Sequence, residues 1–235
     1  MNRLTIIQLI IDTLRARNYL EIGVERGEHF FKIRAEHKVA VDPRFKIKLL
    51  LKAGNLGDYW RSTFIEKTSD NFFLQDAPAL YAAERIGVAF IDGLHTYGQS
   101  LRDFENCVKY LAPGGVALIH DCNPVTREAA APTQSQKEMF ALYPDRQSDE
   151  WTGDVWKTLL HIRSTAGYEV FTLDCDHGLG VVRKKEQDPL LHFTGNDIRK
   201  MTYDDLDKNR PAFLNLKEPG YIHTFLKSCK SLTGY

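Results

Sequence analysis

Short, nearly unbroken apolar runs alternate along the chain with longer segments in which apolar residues recur at three- and four-residue spacing. The runs fall at YLEI (19–22), VAV (39–41), around 62–66, GVAFI (87–91) and VALI (116–119). An unbroken run suits a strand that helices cover on both faces. Between the runs, the spacing predicts an amphipathic helix over MNRLTIIQLIIDTLRARNYL and a helix over VERGEHFFKIRAEH packed through Phe30, Phe31 and Ile33. Further helices are predicted over RFKIKLLLKAG, from a start signal at Ser69 or Asp70, over DVWKTLLHIRS, and over SLRDFENCVKYLAPGG, closed by Pro113, Gly114 and Gly115.

YEVFTLD and LGVVRKK are separated only by CDHG and read as a hairpin, hence an antiparallel pair after a parallel series. The alternation predicts an α/β fold with a mostly parallel sheet and helices on both faces. Residues 1–185 form the expected domain. Residues 122–153 turn polar and irregular, the character of a lid or binding loop. Residues 186–235 are expected to be a C-terminal extension packed on the same domain, with helical spacing around YDDLDKN and YIHTFLKSCK.

Composition narrows the partners. At 235 residues, with 43% hydrophobic and 26% charged residues, the chain suits one large core. Its 31 basic and 31 acidic residues cancel, so no overall field draws in nucleic acid or an anionic membrane. A small-molecule partner is expected, with a homo-oligomer left open. Cys107, Cys122, Cys175 and Cys229 are scattered without a C-x-x-C pair, which suits a reducing, cytoplasmic setting. Thr5, Gln8 and Asp12 interrupt the apolar start, which reads as a helix rather than a signal peptide.

In such sheets ligands bind beyond the carboxyl ends of the strands. There the sequence places Glu21 with Gly23 and Gly27, then Asp42, then Asp92 with His95, then His120 with Asp121. A glycine turn followed about 20 residues later by an acid is the spacing of a nucleoside site, the acid taking the ribose hydroxyls. Glu25, where a dinucleotide fingerprint has glycine, opposes a diphosphate, and Glu21 suits a cationic or amino-acid-bearing ligand. S-adenosyl-L-methionine, a sulfonium with no phosphate, meets both conditions. A NAD-type oxidoreductase would need the missing third glycine, and a catalytically silent S-adenosylmethionine-binding module is a further alternative.

The stretches YLEIGVERG, VAVDP, TSDNFF, VAFIDGLHTYGQSLRDFENCVKYLAPGGVALIHD and GDVWKTL occur in this order over most of residues 18 to 160. In them the sequence resembles the class I S-adenosylmethionine-dependent methyltransferases, in the small-molecule and sugar O-methyltransferase branch that includes the macrolide-sugar enzymes. The resemblance implies a Rossmann-like, seven-stranded sheet with an antiparallel last strand. It also implies that Glu21, Gly23 and Gly27 face the methionine portion of the cofactor, that Asp42 takes the ribose, and that Ser69 and Asp70 lie near the adenine, with Asp92 also on the cofactor.

Asp92, His95 and Asp121 are the implied catalytic set, and Asp92, His120 and Asp121 the implied ligands of a divalent cation, magnesium or manganese. His120 stands where that family has an oxygen ligand, and imidazole suits manganese, iron or zinc better than magnesium. Other readings stay open: Asp92 as a helix cap, Ser69 and Asp70 as helix-start residues, and His95 as a hydrogen-bonding partner rather than a base.

Overall fold

The computed structural model describes residues 1–233. Eight strands form one sheet: β1 (Asn18–Ile22), β2 (His37–Asp42), β3 (Ser62–Glu66), β4 (Ile86–Ile91), β5 (Leu111–Ile119), β6 (Tyr168–Leu173), β7 (Leu179–Lys184) and β8 (Leu216–Lys217). Their order is β3-β2-β1-β4-β5-β7-β6-β8. The first five are parallel, and β7 alone runs against its neighbours, wedged between β5 and β6. β6 and β7 do form the expected hairpin. Its turn takes three consecutive left-handed residues, Asp176, His177 and Gly178, and Gly178 lies so close to the Asn123 backbone that a Cβ would be 2.4 Å from its nitrogen. The eighth strand is a two-residue addition from the C-terminal segment, pairing with β6.

Alternate residues of the central strands supply two cores. Ala89, Ile91, Ala117 and Ile119 face one side, with Phe104 of the Tyr97–Tyr110 helix and Leu159 of the Trp156–Arg163 helix. Val88, Phe90, Val116 and Leu118 face the other, with Ile6, Ile7 and Ile10 of the Arg3–Leu14 helix. Burial on both faces is why these strands read as unbroken apolar runs. The C-terminal segment serves both cores: Ile198, Leu206 and Leu214 join the first, while Ile222, Phe225 and Leu226 join the second.

Besides the helix over RFKIKLLLKAG, which forms only at Leu49–Gly54, two predicted helices differ. The segment after β1 contains only a 3₁₀ turn, Phe30–Lys32. The buried Lys38 ammonium explains this, because it donates to the Phe30 and Ile33 carbonyls at 2.9 and 2.8 Å and to Asp58. Those carbonyls are the ones a continuing helix would need. The second difference lies at the end of Tyr97–Tyr110, where Leu111 already turns extended and pairs with Ile86, so the proline and glycines fall inside the start of β5. No helix among the described residues is long and apolar enough to cross a membrane.

Candidate functional site

The carboxyl ends of β1, β2, β4 and β5 open onto one cavity of about 990 Å³. Backbone bonding carries the ladder past the strands: Gly23 N–H donates to Val41 O, Asp92 N–H to Ile22 O and His120 N–H to Ile91 O, at 2.9 to 3.0 Å. Gly23 permits this convergence, since a Cβ there would lie 1.9 Å from the Asp92 carbonyl oxygen. Gly23, Asp42, Ser69, Asp70, Asp92, His95, His120 and Asp121 all line the cavity, whereas Glu21 and Gly27 do not.

Gly27 has φ +75°, and a Cβ there would meet the Phe31 ring, so it serves the turn and its packing. Glu21 is buried beneath the floor and accepts the Tyr19 hydroxyl at 2.6 Å. Burial pushes its carboxyl up to about 7, and the Tyr19 bond only partly opposes this. Between pH ~4.5 and 7 the unfolded chain releases this proton while the folded chain keeps it, so stability falls as pH rises through that window. Glu21→Gln, which can still accept from Tyr19, is expected to unfold at higher urea than the parent at pH 8, by on the order of 2–3 kcal/mol, and to lose that advantage by pH ~4.5. Equal pH slopes for the two proteins would refute it.

Asp42 is held rigidly: one carboxylate oxygen accepts the Glu25 N–H at 2.8 Å and the other the Arg44 N–H at 2.7 Å. Each oxygen retains further acceptor capacity toward the cavity. Thr68, not Ser69 or Asp70, caps the Ser69–Gln75 helix by accepting from Asn71 N–H. This leaves Ser69 and Asp70 in its first turn, where Gln99 donates to both. Asp92 caps nothing either. Thr96 caps the Tyr97–Tyr110 helix, and Asp154 takes the Tyr97 N–H at 2.6 Å.

Asp92, His95 and Asp121 converge, with one ligand atom from each lying within 4.8 Å of the others. His95 Nδ1–H donates to the Trp151 carbonyl at 2.7 Å, which turns Nε2 toward the carboxylates, 3.5 Å from Asp92 and 3.2 Å from Asp121. Burial works against a charge on His95, but Asp92 and Asp121 outweigh it and raise the ring to about 9. Asp121 sits at φ +60°, a left-handed position that aspartate tolerates.

The third member of the cluster is thus His95 rather than the expected His120. His120 Nδ1 does reach Asp92 and Asp121, at 3.2 and 3.1 Å, but Nε2 stands 2.5 Å from Arg3 Nη1. Burial opposes a proton on His120, and the two carboxylates, which outweigh burial, raise it. Arg3 pulls the other way because a donor needs a lone pair on Nε2, so a single proton on Nδ1 satisfies all three neighbours. Trp151, at the end of the polar loop, lines the cavity as an aromatic wall, whereas Trp156 does not; sequence reasoning missed Arg3, His29 and His177 on the same wall.

Comparison with known proteins shows what the chain is similar to. Residues 20–122 match the family model described as a methyltransferase domain. That segment is similar to a methyltransferase domain. No curated protein sequence matches the chain. Among solved structures, an O-methyltransferase from Bacillus cereus in complex with SAH shares 16% identity at a TM-score of 0.55, covering 78% of this chain and 80% of the other. SAH-bound PaMTH1, a Podospora anserina methyltransferase, shares 16% at 0.53 and covers 78% of each chain. A Staphylococcus aureus protein with a provisional caffeoyl-CoA O-methyltransferase assignment shares 19% at 0.53, covering 79% of this chain and 85% of that one. The chain therefore has the fold of these proteins, with its cavity over the strand ends.

Proposed function

We propose that the chain is an S-adenosyl-L-methionine-dependent O-methyltransferase acting on a hydroxyl of a small molecule or sugar. The observation that carries this reading is a single cavity in which a rigid acid, Asp42, ends β2 and the Asp92, His95 and Asp121 group lies beyond β4 and β5. Asp42 suits a ribose diol. Glu25, paired with Lys46 at 2.9 Å, lines the same cavity where a dinucleotide turn needs a glycine for close approach of the pyrophosphate, which favours adenosylmethionine over a nicotinamide dinucleotide.

Methyl transfer to an alcohol is an in-line displacement at the sulfonium carbon, with the hydroxyl proton removed or its hold weakened. The Trp151 carbonyl fixes the His95 tautomer, so Nε2 is the atom that exchanges a proton with the acceptor side of the cavity. Asp92 and Asp121 hold that proton strongly. The same three residues fit a divalent cation, and the imidazole among them favours manganese over magnesium. When bound there, such an ion would lower the pKa of an acceptor hydroxyl.

The test is thermal unfolding with S-adenosylmethionine, SAH or NAD, followed by methyl transfer from labelled S-adenosylmethionine to a panel of hydroxylated small molecules and sugars, with EDTA or with added manganese. At about 100 times its Kd the cofactor stabilises by ~2.7 kcal/mol, a rise of about 5–10 °C in a chain of this size. A rise with NAD but not with S-adenosylmethionine would overturn the reading. A rise with S-adenosylmethionine but no transfer to any acceptor would favour the silent binding module.

A further inference from the structure

One corner of the cavity carries positive charge that the methyl-transfer reading leaves unused. Arg3, the first residue of the Arg3–Leu14 helix, sends its guanidinium to the cavity wall, with Nη1 2.5 Å from His120 Nε2 and Nη2 2.9 Å from His29 Nε2. Its side-chain hydrogen bonds among the described residues all go to these two rings. A neutral imidazole offers one lone pair, so the planar fork of the guanidinium keeps donors, and its full charge, for something else. Burial, and then Arg3 itself, hold His29 below its ordinary pKa, so that ring accepts from Arg3 and adds no charge.

Three cavity-lining carboxylates have other partners: Asp92 and Asp121 pair with His95 and His120, and Glu150 lies 3.6 Å from His177. Arg3 is nevertheless fixed in place, because its backbone N–H donates to Asp176 at 2.6 Å and ties the helix start to the β6–β7 turn. His177 of that turn stands edge-on to His120 with ring centres 6.2 Å apart, and it lines the same corner.

The position in the sheet assigns this corner to the acceptor. Asp42 closes β2, on one side of β1, whereas His120 follows β5 and His177 joins β6 to β7, on the other side. His120 touches Arg3 on one nitrogen and both Asp92 and Asp121 on the other, so a group held by Arg3 lies one side chain from the reacting centre. We propose that Arg3, flanked by His29 and His177, binds an oxyanion, a carboxylate or a phosphate, carried by the methyl acceptor. This assignment rests on the O-methyltransferase reading and narrows its acceptor to an anionic hydroxy compound.

The test uses the full chain saturated with SAH, in EDTA and at constant ionic strength, titrated with inorganic phosphate and separately with acetate while thermal unfolding is followed. At least one anion is expected to stabilise the protein, and the one that does tells a phosphorylated acceptor from an acidic one. Arg3→Gln is expected to weaken that binding at least about tenfold, with Arg3→Lys recovering part of it, while SAH affinity changes by less than about threefold.

Absence of binding by both anions, or binding unchanged in Arg3→Gln, overturns the proposal and leaves the methyltransferase reading standing. A comparable loss of SAH affinity in Arg3→Gln also overturns it, because the guanidinium would then serve the cofactor's own carboxylate. Failure of the parent protein to bind SAH would instead sink the O-methyltransferase reading.

Discussion

Asp121→Asn is expected to fold normally and to bind SAH as the parent does, yet to lower methyl transfer by about 10²–10⁴-fold. The substitution keeps the shape of the side chain, and asparagine tolerates the left-handed φ of +60° at this position. What it removes is the charge of the buried member of a group of three whose other two are half-buried. His95 Nε2 lies 3.2 Å from Asp121, and this carboxylate, together with Asp92, holds His95 at about 9. With an amide there, His95 falls toward its ordinary value and the divalent-ion ligand set loses a carboxylate. Single-turnover transfer, far-UV circular dichroism and SAH titration measured together separate the chemical loss from a folding defect. An unchanged transfer rate would remove Asp121 from the catalytic machinery.

The parts of this site that could be read from sequence are those that local chemistry dictates. Buried parallel strands must be apolar on both faces, so Val39, Phe90 and Leu118 mark their own strands, and Asp42, Asp92 and Asp121 mark where they end. The parts that could not be read depend on topology. Arg3 precedes β1 by a whole helix, and only the packing of that helix against Val88 and Phe90 brings the guanidinium to His120. His177 reaches the cavity because β7 inserts between β5 and β6, an order that spacing along the chain does not encode. The failed helix after β1 has the same origin, since its carbonyls are taken by Lys38 from the neighbouring strand. Gly27 misled for a different reason: a tight turn and a cofactor turn both need a glycine with positive φ, and only its contact with Phe31 tells them apart.

Gly153→Ala should damage the reaction more than the fold, and Gly114→Ala is its control. Both glycines have positive φ, +58° and +76°, so alanine at either carries the left-handed strain of about 1–2 kcal/mol. At Gly114 a Cβ meets nothing within 4 Å, and the cost should end there, with transfer unchanged. At Gly153 it would lie 1.7 Å from the His95 carbonyl oxygen and 3.2 Å from the His95 Cβ, so one of the two segments must move. Neither moves freely. On one side, Thr152 and Gly153 both donate to the Ala129 carbonyl at 2.9 Å, and the Trp151 indole donates to Ala131. On the other, His95 is clamped through Nδ1 to the Trp151 carbonyl, and Tyr97 N–H to Asp154. A shift that relieves the clash therefore lengthens the bond that fixes the His95 tautomer or swings Nε2 off the two carboxylates. Overpacking adds a further ~1–3 kcal/mol of instability, and a displacement near 1 Å at a reacting group costs about 10²-fold in rate. Urea unfolding and transfer rates for both variants should show Gly153→Ala losing at least about tenfold more activity than Gly114→Ala. Equal losses in the two would mean that the contact between residues 151–154 and His95 does not position the histidine for the reaction.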